Sequence, residues 1–291
     1  MNIIVTGSLG NVGKPLTKTL VQKGHAVTVI SSSPERQGDI KALGATAATG
    51  SLQDAEFLAS TFGGADAVFA MVPPNYSAPD MRAYYRDIGS SYAQAVQASG
   101  VKRVVHLSSF GAHLAEGTGP ILGSHDVEGI LNETNVSLTH LRPTYFYYNL
   151  YGYVDMVKAR GSIAANYGGD DKIPLVALSD IAAAAAEELE KATGTSVRYV
   201  ASDEHTASEA AHILGAAIGK PDLEWVTITD EQMQAGLEAT GMSAYIAGLL
   251  VDMYASIHSG ALAEDYEKHK PSPGKVKLED FAKEFAAAFN A

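Results

Sequence analysis

The chain has 291 residues, enough for one large α/β domain and a smaller second lobe. Its formal net charge is −12 and it has no cysteine. The charge opposes attraction to DNA or anionic membranes, so neither direct nucleic-acid binding nor membrane attachment is expected. Without cysteine there are no disulfides, thiolate nucleophiles or cysteine-held zinc. The histidines are scattered without metal-ligand spacing, so no metal is expected. No apolar run approaches a membrane span, and a glycine loop starting at Gly7 leaves no room for a signal peptide ahead of it. A cytoplasmic protein is the expectation.

Residues 2–6 form a short apolar run that ends at Gly7. Residues 12–23 have helical spacing, with Val12, Leu16, Leu20 and Val21 apolar. Residues 26–30 are rich in β-branched side chains, and 45–49, 67–71 and 103–107 read as further buried strands. Helices are predicted over 54–62 and 80–99, and another strand over 136–141. Strands alternating with helices predict an α/β fold, a doubly wound parallel sheet with helices on both faces. After Arg142 the texture changes. Residues 145–153 are crowded with aromatics, 173–178 and 197–200 read as strands completing the sheet, and 180–191 is an alanine-rich helix. From Thr206 onward the pattern is mainly helical, punctuated by Pro221, Pro271 and Pro273.

Gly7, Gly10 and Gly13 are spaced G-x-x-G-x-x-G, a variant of the dinucleotide fingerprint G-x-G-x-x-G. The chain must turn tightly out of the strand, approach a pyrophosphate with its backbone, and pack the helix close to the strand; side chains obstruct all three. The N–H groups at the helix start then face the phosphate charge. Gly7, Leu9, Gly10, Asn11, Val12 and Gly13 are therefore candidate cofactor contacts. This predicts an NAD(P)-binding Rossmann domain from residues 1–144 plus about 173–201. A smaller, mainly helical substrate or partner lobe is expected from about 145–172 plus 202–291.

The second strand ends Ile30-Ser31-Ser32-Ser33-Pro34-Glu35-Arg36. NAD-preferring sites usually place a carboxylate at this strand end for the ribose hydroxyls. Here Ser31 and Ser32 stand there, and Arg36 can pair with a 2′-phosphate. NADP(H) is therefore expected over NAD(H). In the competing reading Ser33-Pro34 starts a helix and leaves Arg36 on a solvated face.

The chain resembles the NmrA-like branch of the atypical short-chain dehydrogenase/reductases. The matching pieces are Thr6-Gly7-x-x-Gly10-x-x-Gly13, Gly50-Ser51-Leu52, Val72-Pro73-Pro74, Ser108-Ser109, Leu141-Arg142-Pro143-x-x-Phe146-x-x-Asn149 and Ser179-Asp180-Ile181-Ala182. They cover roughly residues 1 to 200. The resemblance implies that Met71, Val72 and Pro73 line the cofactor cleft and that Ser51 and Leu52 lie near the adenine. Gly50-Ser51-Leu52 departs from the family's Gly-Asp-Leu, so an aspartate contact is lost.

Standard members of the superfamily carry Tyr-x-x-x-Lys on the helix after the fifth strand, the lysine tuning the tyrosine for proton exchange. The corresponding stretch is Ile121-Leu122-Gly123-Ser124-His125. Ile121 cannot carry a proton. His125, with a reference pKa of about 6.5, can bind ribose or donate to substrate, or be a plain surface histidine. Ser109 and His125 are the candidate catalytic residues, and Ser108 a candidate ribose contact. His113, Tyr145 and Tyr147 are candidate cleft walls, although aromatics so spaced are more often core. Reduction of a quinone leaves a phenol-like oxyanion of pKa about 10, which solvent can protonate. The missing pair therefore disfavours an alcohol dehydrogenase more than a quinone reductase. Two readings follow: an NADPH-dependent reductase of small electrophiles such as quinones, or a non-catalytic NADPH-sensing regulatory protein acting through a protein partner.

Overall fold

The computed structural model describes residues 1–291. Strands run over Asn2–Val5 (β1), Ala26–Ser31 (β2), Thr46–Thr49 (β3), Ala67–Met71 (β4), Arg103–Leu107 (β5), Ser137–Pro143 (β6), Tyr145–Phe146 (β7), Ile163–Ala165 (β8), Lys172–Val176 (β9), Val197–Val200 (β10), Asp203–Thr206 (β11) and Trp225–Thr227 (β12). Helices run over Gly13–Gln22 (α1), Gln37–Ala42 (α2), Ala55–Phe62 (α3), Met81–Ser99 (α4), Ile121–Asn132 (α5), Val154–Arg160 (α6), Leu178–Leu189 (α7), Ala207–Ala217 (α8), Asp230–Ala239 (α9), Ala244–His258 (α10), Glu264–Lys268 (α11) and Leu278–Asn290 (α12).

Seven strands form one sheet in the order β10-β6-β5-β4-β1-β2-β3. The pairs from β6 through β3 are parallel. This is a Rossmann-type doubly wound sheet, and the strand order reverses between β1 and β4. The apolar runs noted in the sequence are its core: Ile3, Val5, Val29, Val68, Phe69, Val104 and Val105 are fully buried. Parallel strands covered on both faces need such uninterrupted runs. Local chemistry sets the flanking helices. Asp54 and Asp80 accept from Phe57 N and Ala83 N, capping α3 and α4, and Gly100 ends α4 in the left-handed region. Gly89 and Gly123 let α4 and α5 pack closely, because a Cβ on either would press on Val127 or Tyr85.

The chain divides into two compact units. The first takes residues 1–112, 123–142 and 181–198; the second takes 113–122, 143–180 and 199–291. Of the two segments expected to complete the large sheet, 197–200 does so as β10 beside β6, whereas 173–178 does not. β9 pairs with β11 and β7 in a separate three-stranded sheet, and β12 pairs with β8. The core of the second unit gathers Tyr147, Leu150, Tyr153 and Tyr167 with Leu214, Trp225, Phe281 and Phe285. No single helix is long and apolar enough to cross a membrane.

Candidate functional site

The glycine loop lies between β1 and α1. Gly7 has φ +82°, and a Cβ there would meet the Met71 sulfur at 2.2 Å. A Cβ on Gly13 would lie 2.3 Å from the Ser8 carbonyl oxygen, so α1 begins against the loop backbone. Gly10 N–H donates to the Gly7 carbonyl at 3.4 Å, and Gly10 is exposed. The amides of Leu9, Asn11 and Val12 donate to no backbone carbonyl. The loop thus presents free N–H groups at a helix N-terminus, the arrangement that binds phosphate. Val12 is buried, so it offers only its backbone.

Beside the loop is a cavity of about 420 Å³ lined by Gly7, Ser8, Ile30, Ser31, Ser32, Ser51, Leu52, Gln53, Pro73, Asn75, Tyr84 and Ile88. It brings together six residues expected from the sequence: Gly7, Ser31, Ser32, Ser51, Leu52 and Pro73. Ser8, Gln53, Asn75 and Tyr84 were not foreseen. No charged side chain lines it. Its floor is polar: Ser8 Oγ donates to Ser31 Oγ at 3.0 Å, and Ser31 Oγ receives the Ser33 N–H at 3.2 Å. Val72 is buried behind the lining and Met71 is half-buried. Tyr92 Oη donates within hydrogen-bond distance of both Thr6 Oγ1 and the Met71 carbonyl, fixing the ends of β1 and β4 together.

Two expected contacts are placed otherwise. Arg36 lies outside the cavity lining, exposed, with Nη1 3.5 Å from Asp39. The reason is local: Pro34 starts a turn of helix that carries residue 36 onto a solvated face. The strand end is also not free of acid, because the Glu35 carboxylate folds back onto Ser33 Oγ, a bond that lowers its pKa. Ser108 is buried, and its hydroxyl donates to Glu128. Glu128 is held in turn by Arg142, through Nε at 2.9 Å and Nη2 at 2.6 Å. A buried ion pair needs its remaining lone pairs satisfied, and Ser108 fills that role rather than facing a ligand.

Ser109 is half-buried and donates to the Phe110 carbonyl at 3.1 Å. His125 is also half-buried, with Nδ1 2.9 Å from the Ala112 carbonyl oxygen. A carbonyl only accepts, so Nδ1 carries the proton and Nε2 of the neutral ring offers a lone pair. Ile121 is buried. In the second unit His113 is half-buried. Tyr147 is not a cleft wall: it is 2 % exposed, stacked on Phe281, and donates to the Val276 carbonyl. Tyr145 is half-buried and hydrogen-bonded to Tyr167.

Known proteins resemble this chain along its whole length. An oxidoreductase of Bacillus subtilis (strain 168), YesF, described as uncharacterized, is 26% identical over 98% of this chain and 95% of its own. The NADPH-dependent quinone oxidoreductase of Escherichia coli, solved with NADPH, superposes with a TM-score of 0.82 at 22% identity, covering 97% of this chain and 99% of that one. The triphenylmethane reductase of Citrobacter sp. gives 0.82 at 21% identity, covering 99% and 100%. The NmrA-like family pattern matches residues 1–271, which spans both the glycine-loop sheet and most of the second unit. On that match, the chain belongs to the NmrA-like family.

Proposed function

We propose that this protein is a nicotinamide-dinucleotide-dependent reductase of small electrophiles, quinones foremost, that favours NADP(H). The observation that carries the reading is the glycine loop opening on an uncharged cavity at the point where the sheet order reverses. The loop amides would hold the pyrophosphate, and Ser31, Ser32, Ser51 and Leu52 the adenosine half. Bound dinucleotide supplies hydride; the chain's own residues orient it and exclude water. The half-buried His125, with Nε2 as acceptor, suits a ribose hydroxyl. Ser109 is the candidate for a substrate carbonyl. Preference for NADP(H) is supported by the absence of a carboxylate from the cavity lining and by the NADPH complex of the quinone oxidoreductase. The exposed Arg36–Asp39 pair is weak enough for Arg36 to turn toward a 2′-phosphate.

Calorimetric titration tests the site. Gly10→Asp should keep the fold and abolish NADPH binding, since a carboxylate there would oppose the pyrophosphate. Wild type should bind NADPH more tightly than NADH, and Arg36→Ala should narrow the difference. Unchanged NADPH affinity in Gly10→Asp would remove the loop from the site. Steady-state loss of nicotinamide absorbance with a panel of quinones tests turnover. The buried Ile121 at the proton-relay position supports the second reading, an NADPH sensor. Tight NADPH binding with no turnover of any acceptor would select it.

A further inference from the structure

The polar groups lining the cavity beside the glycine loop differ in what they leave free. Ser8 Oγ donates to Ser31 Oγ, which also accepts the Ser33 N–H. Asn75 Oδ1 accepts the Ser77 N–H at 3.1 Å, so that amide is committed to its own turn. Ser51 Oγ accepts the Gln53 N–H at 3.1 Å. The Gln53 side chain lines the cavity and has no hydrogen-bond partner in the protein. Ser32 and Tyr84 add single hydroxyls to the lining. The Gln53 amide is the one lining group with an open donor and an open acceptor on two atoms of one plane.

The backbone beneath that amide is fixed. Gly50 N–H donates to the Ser31 carbonyl at 3.1 Å, which ties the turn to the end of β2. Asp54 N–H donates to the Ser51 carbonyl at 3.3 Å, and the Asp54 side chain caps α3. The Gln53 carbonyl accepts from Ser91 Oγ of α4 at 3.3 Å. Gln53 is thus held through its N–H and its carbonyl while its side chain stays available. Gln37 shows the contrary case: its side chain is spent on Thr49 Oγ1 at 3.1 Å. Around Gln53 the cavity has apolar walls from Ile30, Leu52, Pro73 and Ile88. Such walls take the flat face of an aromatic ring, and a few placed polar groups then read its rim. No charged side chain contributes to the lining, so that rim is read by neutral hydrogen bonds. Adenine presents a 6-amino donor next to a ring-nitrogen acceptor. A glutamine amide matches the pair, with Oε1 accepting from the amino group and Nε2 donating to the ring nitrogen.

We infer that Gln53 is the base-reading residue of this cavity, its side-chain amide holding the 6-amino edge of an adenine nucleotide. The inference rests on the reading of the cavity as the dinucleotide site and adds the residue that selects the base. Gln53 is the contacting residue. Ser51 and Ser91 are positioning residues, because they hold Gln53 through its backbone.

Two nucleotides test it. AMP and purine riboside 5′-monophosphate, which lacks only the 6-amino group, are titrated into the whole protein with NADPH bound. Nicotinamide fluorescence reads the release of NADPH. Wild type should prefer AMP by about tenfold, the worth of the matched amide pair at an exposed rim. In Gln53→Ala the preference should vanish, with AMP weakened by about that factor and the purine nucleotide little changed. Gln53→Met, of similar length but without the amide, should repeat that result. Ser91→Ala should lower the preference a few-fold with the fold retained by circular dichroism. Wild type that binds the two nucleotides alike, or Gln53→Ala that keeps the wild-type preference, overturns the inference. An equal loss for both nucleotides in Gln53→Ala would show a displaced turn and also overturn it. NADPH that fails to bind wild type would sink the cofactor reading and Gln53 with it. NADPH that binds but is displaced equally well by both nucleotides would sink Gln53 alone.

Discussion

Ser8 is held at φ +58°, the one residue other than glycine in the left-handed region. Such backbone costs on the order of 1 kcal/mol and persists only where surrounding contacts enforce it. Here its N–H donates to the Ile30 carbonyl at 3.0 Å and its hydroxyl to Ser31. The strain aims the Ser8 carbonyl at Gly13, which explains why the third glycine of the motif is required. Gly13→Ala must displace that carbonyl, since the new Cβ would sit 2.3 Å from it. We expect a stability loss of about 1–3 kcal/mol in urea denaturation, the usual range for overpacking. NADPH affinity should fall with it, because the same shift moves the loop amides. A variant with wild-type stability and affinity would show that α1 can move as a body to make room.

At the level of elements, neighbouring strands β5 and β6 carry a buried histidine pair. His106 Nδ1 lies 3.0 Å from His140 Nδ1, and His140 Nε2 is 3.1 Å from Asn132 Oδ1. Burial and the facing ring drive the His106 pKa well below its ordinary value, and burial lowers that of His140. The charged groups around them are Glu128, which opposes the shift of His140, and Arg142, which adds to it. A histidine kept neutral when folded gains protons on unfolding once pH falls below the unfolded value of about 6.5. The pair is thus without penalty above that pH, and stability declines as pH falls toward the folded values. The slope per histidine should be about 1.4 kcal/mol per pH unit. Urea midpoints from pH 7.5 to 5.0 should show it, and His106→Gln should flatten the decline. An unchanged slope in that variant would place the acid sensitivity elsewhere.

The same elements mark what the sequence made legible. Strands β1, β2, β4 and β5 were readable because most of their residues are buried, so each carries an apolar run, whereas β3, expected as a buried strand, lies at the sheet edge with none of residues 46–49 buried. The Ile173-Pro174-Leu175-Val176 run has the same texture, yet β9 joins a different sheet. Local pattern reports that a strand forms, whereas its partner is chosen by distant residues such as 203–206 in β11. The three-residue strands β8 and β12 are too short to show a period. Around the site, Gly7, Ser31 and Ser51 were legible through motif spacing, while Gln53 and Tyr84 carry no local signature. Residues 147–153 form a 3-10 helix, whose three-residue period buries Tyr147, Leu150 and Tyr153. An aromatic-rich stretch gives no sign of that period, so Tyr147 and Tyr145 looked alike.

On the scale of the whole molecule, the Ser179-Asp180-Ile181-Ala182 motif has a visible structural duty. Asp180 Oδ2 accepts from Ser202 Oγ at 2.6 Å and from the Val276 N–H at 3.2 Å, and Gly274 packs so close that a Cβ would strike it. Asp203 accepts the Leu278 N–H at 3.3 Å and lies 3.5 Å from Lys277 Nζ. Two carboxylates therefore tie the segment leading into α12. Asp180→Asn should loosen it, with a cost of about 1–3 kcal/mol for partners left unmet. Limited proteolysis should then cut within 270–277 faster than in wild type. Equal cleavage rates would mean that α12 packing alone holds the segment. The packing of α12 has a further consequence, for biosynthesis. Leu278, Phe281, Ala282 and Phe285 belong to the core that contains Tyr147 and Leu150. A nascent chain cannot complete that core until those positions have left the ribosome, long after its first residues have emerged. The aromatic-rich stretch, made near the middle of the chain, must wait until α12 is made before that core can close, a period in which such a chain is open to aggregation.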